Sequence, residues 1–467
     1  MPLYFTTSKR GKKKLLLANH LYWKDSKVQD RIYWKCEKFY LRCCARAVTE
    51  GDNLIRVSGE HNHAANAAHV EVDKIMDLIK IASKETREAP TSLLSAACGS
   101  ASEAVRGQLP DYTNIKRTIR RVRVRDEAGP ALPASRSDII FTSNYTITIR
   151  GEHFLAYDSG PSDNRIIIFA TERNLQLFAQ SKHWYGDGTF KTVPHLFEQL
   201  YTFHGVENLI TVPLVYALLG DKKKNTYVRL LQKLKELVPQ RRVISIMTDF
   251  EQAMVGAIIE EFPNVLHRGC FFHLCQSIWR KIQANGLKEQ YEQDADFALK
   301  LRYLPALAFV PQHKVMQAFD TLIDSNLLPP ESQTVVDYFE DVWIGRPIRR
   351  QGRRFPTFEI SMWNCHGSVL EGLPKTNNYI EAWHRGFLYQ ISGNHPNIWK
   401  FITAIKHEQS LNELKIEQLI SGHQPARKKK YVDYAERLKS IIQTWDDEMT
   451  DTQVMDFLRG VAHNITY

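Results

Sequence analysis

Two groups of residues in this chain are of types and spacings that could do chemistry. Near the amino end, Cys36, Cys43, His61 and His63 follow the spacing C-x6-C-x17-H-x1-H. Thiolate and neutral imidazole are the ligands Zn²⁺ prefers, and four of them close a tetrahedral structural site. His61 and His63 are two residues apart, so on an extended strand both rings leave the same face and can converge on one ion. Cys43 and Cys44 are strand neighbours facing opposite ways, so only one of them can ligate, and His69 is a further competitor. The spacing is not that of the common C-x2-C finger. Unrelated thiols beside solvated histidines are the competing reading.

The second group is three carboxylates spread along the body. Asp187 sits between two glycines in His183-Trp184-Tyr185-Gly186-Asp187-Gly188-Thr189-Phe190-Lys191. Glycines there would let a ligand approach the backbone closely, and a tight turn is the alternative. Asp249 follows the apolar run Val243–Met247. That is the carboxyl end of a buried strand, where open α/β sheets present ligands; a helix N-cap is its other natural role. Glu381 lies in Thr376-Asn377-Asn378-Tyr379-Ile380-Glu381-Ala382-Trp383-His384-Arg385. Alone it reads equally as a first-turn glutamate favoured by the helix dipole. Two Asp on strands and one Glu on a helix, meeting at one sheet edge, can hold two divalent ions about 4 Å apart. Such a pair clamps the attacking and leaving oxygens of an in-line displacement at phosphorus, and Mg²⁺ suits those oxygen ligands.

The elements that must position these residues show in the patterning. Residues 1–69 read as short β segments and turns, and about 65 residues of that kind bury too little surface to be comfortable without a metal. From Val70 to Arg125 the pattern turns helical, with Ile75, Leu78 and Ile79 at helix spacing and the basic run Lys116–Arg125 at its end. That run is either the last helix of a small DNA-binding bundle or a cationic linker. Gly129–Ser137 reads as a linker. Strands are expected at Ile139–Phe141, Thr146–Ile149, Ile166–Ala170, Tyr185–Val193, Leu200–Gly205, Thr211–Leu219 and Val243–Met247. Helices are expected over Tyr227–Val238, whose apolar residues share one face, and over Glu251–Phe262. After Val265–Phe272 the chain reads as helical to Asp341, and again from Ile398, where Phe401, Ile402 and Ile405 share a face. The expected domains are 1–69, 70–137, a first core segment 138–273, a helical insertion 274–360, a core helix within 361–395 and a helical region 396–467.

The 467 residues are 43% hydrophobic and 24% charged, which is globular composition. No apolar run reaches the 18 residues a membrane span needs, and the basic start MPLYFTTSKRGKKK lacks a secretory cleavage site. Seven cysteines, unevenly placed, argue for a reducing compartment. The charge is local. Residues 1–70 hold 13 Lys and Arg against 6 Asp and Glu, residues 71–150 hold 13 against 10, and the other 317 carry 36 of each sign. A basic end on a neutral body is what an attached nucleic-acid-binding module would give, because phosphate neutralisation dominates such affinity; a solubilising tail is the plainer reading. Arg346, Arg349, Arg350, Arg353 and Arg354 could contact phosphate or form a solvated loop. Arg427 and Lys428-Lys429-Lys430 could form a nuclear import signal or a solvated surface.

Two resemblances follow from these motifs. Phe5, Arg10-Gly11, Leu17, Tyr22, Tyr33-Trp34-x-Cys36, Cys43-x-Ala45-Arg46 and Gly59-x-His61-Asn62-His63 resemble a FLYWCH-type zinc finger. That resemblance selects Cys43 as second ligand, with Cys44 where the family usually has a basic residue, and implies double-stranded DNA as partner. Asp187-Gly188-Thr189-Phe190, Thr248-Asp249, Gly269-Cys270-Phe271-Phe272-His273 and Thr376-Asn377-Asn378-x-x-Glu381-x-Trp383-His384-Arg385 resemble the transposase domain of Mutator-like elements, over roughly Phe178–Leu388. This implies an α/β, RNase H-like core with Asp187, Asp249 and Glu381 as an Asp-Asp-Glu triad holding Mg²⁺ or Mn²⁺. It also implies a helical insertion filling the 132-residue gap from Asp249 to Glu381. Cys270-x2-His273 is half a metal site or a packed thiol beside a histidine contacting DNA, and the resemblance favours the second, giving His273 a supporting catalytic role. Cys275 and Cys365-His366 read as buried or incidental.

The expected function is a nuclear DNA transposase that cuts and joins strands, with a zinc finger recognising DNA. The alternative is a domesticated, non-catalytic DNA-binding regulator of transcription that keeps the fold; loss of any acid would favour it, and all three are present. A nuclease without strand transfer shares the same residues. No membrane partner is expected, and transposases of this fold usually act as multimers, which admits a homo-oligomer.

Overall fold

The computed structural model describes residues 3–7, 12–86, 88, 90–99, 101–126, 130–207, 210–348, 352–391, 395–422 and 429–465. The chain forms two compact units, Met1–Gly129 and Pro130–Tyr467. It is a mixed α/β protein with a β-rich sheet at its amino end.

In the first unit six antiparallel strands run in sequence order: β1 (Tyr4–Thr7), β2 (Lys13–Leu17), β3 (His20–Val28), β4 (Arg31–Cys36), β5 (Arg46–Glu50) and β6 (Asn53–Ser58). Its small core is Leu15, Tyr22, Trp34, Cys36, Cys43, Ala45 and Ala47. Four helices follow, α1 (Ala67–Glu85), α2 (Pro90–Cys98), α3 (Glu103–Arg106) and α4 (Tyr112–Asp126). Val72, Ile75 and Ile79 of α1 pack with Leu93, Leu94, Ile115 and Ile119. The basic run is therefore the last helix of a bundle rather than a linker, and Leu78, expected on the apolar face, is exposed. The sheet and bundle are tied together: Asp77 accepts from the Thr7 backbone N–H at 2.9 Å, and Lys14 Nζ donates to Asp73 at 2.9 Å. Arg10 and Gly11 of the finger motif lie outside the described residues, as do Arg349, Arg350, Arg427 and Lys428.

The second unit is built on a seven-stranded sheet that begins with β7 (Leu155–Asp158), an edge strand, and β8 (Ile167–Phe169), which pairs on both sides. Its other strands are β9 (His183–Thr189), β10 (Gln199–Glu207), β11 (Ile210–Leu219), β12 (Ser245–Thr248) and β13 (Leu266–Gly269). The spatial order is β13-β12-β9-β10-β11-β8-β7. β9, β10 and β11 form an antiparallel meander, while β12 and β13 join β9 in parallel. Parallel pairing needs a crossover. Helix α6 (Lys224–Leu237), after α5 (Glu172–Gln180), leads to β12, and α7 (Gln252–Glu261) leads from β12 to β13. Tyr227, Leu230, Leu231 and Leu234 of α6 bury the face foreseen for them.

Ile139–Phe141 and Thr146–Ile149 are not strands. Both are short apolar runs without a neighbour to pair along their length; Ile147 makes only an isolated bridge to His153, and Ile139 and Phe141 pack as side chains on the sheet. The edge position is taken instead by Leu155–Asp158, which alternation did not reveal.

After β13 the chain enters α8 (Phe271–Ala284) and a mainly helical stretch to Ile344. The helices Lys429–Ile442 and Asp451–Ala462 complete the core of that stretch through Leu438, Ile442, Val454 and Phe457. The helix Ile398–Ile420 does something different: Phe401, Ile402 and Ile405 cover the sheet face formed by Ile167, Phe169, Tyr216 and Leu218. The carboxy-terminal region thus serves two cores.

Candidate functional site

In the first unit Cys36 closes β4, Cys43 lies in the β4–β5 connection, and His61 and His63 follow β6. Their ligating atoms all lie within 4.8 Å of one another. Cys36 Sγ is 3.2 Å from His63 Nε2, and Cys43 Sγ is 3.4 Å from His61 Nδ1. His61 therefore presents Nδ1 and His63 presents Nε2. The outer nitrogens are occupied: Tyr22 Oη is 2.8 Å from His61 Nε2, and His63 Nδ1 is 3.1 Å from the Ala64 carbonyl. Burial, with His20 and His63 nearby, holds His61 below its ordinary value, so it is the neutral ligand form. Burial pushes the Tyr22 hydroxyl up to about 12. Cys43 is buried and Cys44 exposed, its thiol turned to the Glu60 carbonyl at 3.3 Å. His69 heads α1, where its N–H is capped by Asn66, outside this group. Two thiols and two imidazoles fit Zn²⁺ as a closed structural site.

In the second unit the parallel pairing of β9 with β12 sets Tyr185 against Met247. Asp187 lies two residues past Tyr185 in β9 and Asp249 directly follows β12, and the Asp187 charge acts on Asp249. Period-two alternation turns Asp187 to the face of Tyr185, which packs with Met247, Cys270 and Ile380. Ile380 precedes Glu381 in the helix Asn378–Ile391, so that helix lies on the face that carries the acid. Cys270 fastens it: its thiol donates to Asn377 Oδ1 at 2.9 Å, and Asn377 N–H donates back to the sulfur at 3.3 Å. Burial pushes the Cys270 thiol up to about 12, so it is a packed, protonated thiol. Cys270 is thus a packed thiol, and among the described residues it belongs to no metal-ligand cluster.

His273 Nε2 is 3.8 Å from Glu381 Oε1, and His384 Nε2 is 3.2 Å from Asp187 Oδ2, without hydrogen-bond alignment. Burial and then the Asp187 charge raise Asp249 above its ordinary value. Burial also raises Glu381, opposed by His273 and reinforced by Asp187. The Asp187 charge thus acts on both Asp249 and Glu381. Among the described residues, however, only the finger's four ligands form a set with every ligating atom within 4.8 Å.

The glycines beside Asp187 give room to side chains of β10. A Cβ on Gly186 would stand 2.9 Å from Tyr201 Oη, and one on Gly188 would stand 2.8 Å from Gln199 Oε1. Both lie inside β9, so the motif is a strand and not a turn. Asp249 is not the N-cap of α7, a place taken by Glu251, though its carboxylate accepts the Glu251 N–H at 3.2 Å. His384 and Asn377 stood in the motif without a role, and only tertiary contact assigns them one. The described arginines of the basic loop are spent on acids: Arg346 and Arg354 on Asp341, Arg353 on Asp320 and Glu340. Cys275 and Cys365 are buried thiols of the helical core.

No curated protein matches the chain. The matched segments carry the finger's four ligands and, in the second unit, Asp187, Asp249 and His273, while Glu381 lies beyond them. Residues 5–63 match the FLYWCH zinc finger domain and residues 183–277 the MULE transposase domain, a pairing that points to transposase-related DNA binding.

Proposed function

We propose that the chain is a nuclear DNA transposase, its finger unit binding double-stranded DNA and its second unit cutting and joining strands. On this reading Asp187, Asp249 and Glu381 hold Mg²⁺ or Mn²⁺ on an RNase H-like core. The sheet supports that core: an antiparallel three-strand meander extended by two parallel strands on the β9 side. The observation that supports the reading is the Tyr185–Met247 pair of the neighbouring strands β9 and β12, with Ile380 packed on it: Asp187 and Asp249 each lie two residues past that pair, and Glu381 follows Ile380.

The residues fit divalent cations. All three donors are hard carboxylates, and burial with mutual repulsion raises Asp249, a cost that a cation between the acids would relieve. Cations held there supply Lewis-acid activation of the phosphodiester and of the attacking hydroxyl. Asp187 and Asp249 orient the reacting groups from the rigid sheet. Glu381 closes the set from a helix anchored by Asn377 and Cys270. His273, beside Glu381, contacts a phosphate oxygen of the substrate.

The test is a strand-transfer assay with Mg²⁺ or Mn²⁺ on DNA carrying the flanking genomic sequence. Asp187→Asn and Glu381→Gln are expected to abolish cleavage while DNA binding persists. Cleavage at the parental rate by either variant would defeat the assignment.

A further inference from the structure

Three residues past Asp187, at the end of β9, Phe190 stands 42% exposed. The Lys222 ammonium lies over that ring, 3.5 Å from its centroid. Lys222 belongs to the loop between β11 and α6, and among the described residues it makes no salt bridge. Its charge reaches the carboxylates of Asp249 and Glu251. Lys191, next to Phe190, is exposed, and so is Lys223, whose side chain is 81% exposed and only 3.9 Å from Asp221. The acidic edge is therefore rimmed on this side by an exposed aromatic face backed by cations. The ring and the ammonium already make a favourable pair, so this aromatic face is held in place by a cation beside the acids. A ligand that satisfies both must carry a flat π-face and a negative charge on one short unit. A nucleotide does.

We infer that Phe190 and Lys222, with Lys191, form a subsite for one unstacked nucleotide of a DNA strand running past the carboxylates. The base stacks on the ring face opposite Lys222, and the ammonium groups take the adjoining phosphate. Stacking accepts any base, so the subsite adds affinity and placement but little sequence preference. It rests on the nucleic-acid reading of the second unit and adds the unpaired strand to it.

The test uses the full chain, zinc-loaded, and a duplex with a short single-stranded 3′ extension carrying 2-aminopurine, in Ca²⁺ buffer. Binding by the parent is expected to quench the probe. Phe190→Ala is expected to lose the quenching and weaken binding of the extended duplex about five- to a hundredfold. Phe190→Trp keeps both. Lys222→Ala is expected to lower the salt slope of that binding by about 1. A blunt duplex of the same sequence, held by the finger unit, should bind alike in all variants. Undiminished quenching by Phe190→Ala overturns the subsite. A parallel Mg²⁺ cleavage assay separates the two claims. A chain that stacks the probe but never cuts keeps the subsite and loses the nuclease; a chain that cuts while Phe190→Ala stacks normally keeps the nuclease and loses the subsite.

Discussion

Asp187 Oδ2 and His384 Nε2 lie 3.2 Å apart although 197 residues separate them in sequence. The contact joins the strand that carries the first acid to the helix that carries the third, since His384 sits one turn after Glu381. Much of the long intervening chain builds the helical core instead. The candidate site is thus assembled by packing on two sides, through His384 at Asp187 and through Asn377 at Cys270. Cys270→Ala should keep the fold but loosen the helix. We expect metal-dependent cleavage to fall more than global stability, and equal falls in both would leave Cys270 a core residue only.

The finger should depend on its four ligands and on one outer contact. Cys36→Ser, Cys43→Ser or His63→Ala is expected to lower bound zinc and unfold the amino-terminal sheet, whereas Cys44→Ser, at an exposed position, leaves zinc at one per chain. Tyr22→Phe removes the partner of His61 Nε2 and is expected to weaken zinc about 10–100-fold. Chelator competition monitored by circular dichroism measures both. Zinc loss in Cys44→Ser would exchange the two cysteines.

Gly186 should not tolerate even a methyl group, since Tyr201 Oη occupies the space its Cβ would need. Gly186→Ala is expected to destabilise the second unit by about 1–3 kcal/mol, the usual cost of overpacking. Denaturant unfolding reads this directly. Adding Tyr201→Phe should recover part of the loss, because the hydroxyl is the nearest atom.

Lys375 gives a pH signature. It is buried among the rings of Phe271, Phe309 and Tyr434, donates to Tyr434 Oη at 2.9 Å, and burial lowers it from 10.5 to about 8. A depressed folded value favours folding above the unfolded value near 10.5, and that benefit is lost as pH falls through about 8. Relative to Lys375→Met, the parent should therefore gain stability as pH rises from 8 to 10. A flat difference in melting temperature over that range would contradict the burial.

What the sequence made legible was local. The apolar faces of Tyr227–Val238 and of Phe401–Ile405 rest on periodicity and appear as read; the buried strand before Asp249 is there but spans Ser245–Thr248, and His61 and His63 converge from the irregular chain after β6 rather than from a strand. The edge strand Leu155–Asp158 did not show, because an edge strand with half-buried faces has weak alternation. Nor did the packing role of Gly186, which depends on a side chain crossing from β10. The ion pairs of the arginine loop did not show either: Glu340 and Asp341 stand just before it, but only the folded chain turns them, with Asp320, onto Arg346, Arg353 and Arg354.

Manganese titration into the zinc-loaded chain bound to DNA, read by electron paramagnetic resonance, asks most directly whether the three acids act together. The parent is expected to take up about two Mn²⁺ beyond any bound by DNA alone. Asp187→Asn, Asp249→Asn and Glu381→Gln should each lose that uptake. A parent that binds none, or a variant that binds as the parent does, would mean these carboxylates share no ion.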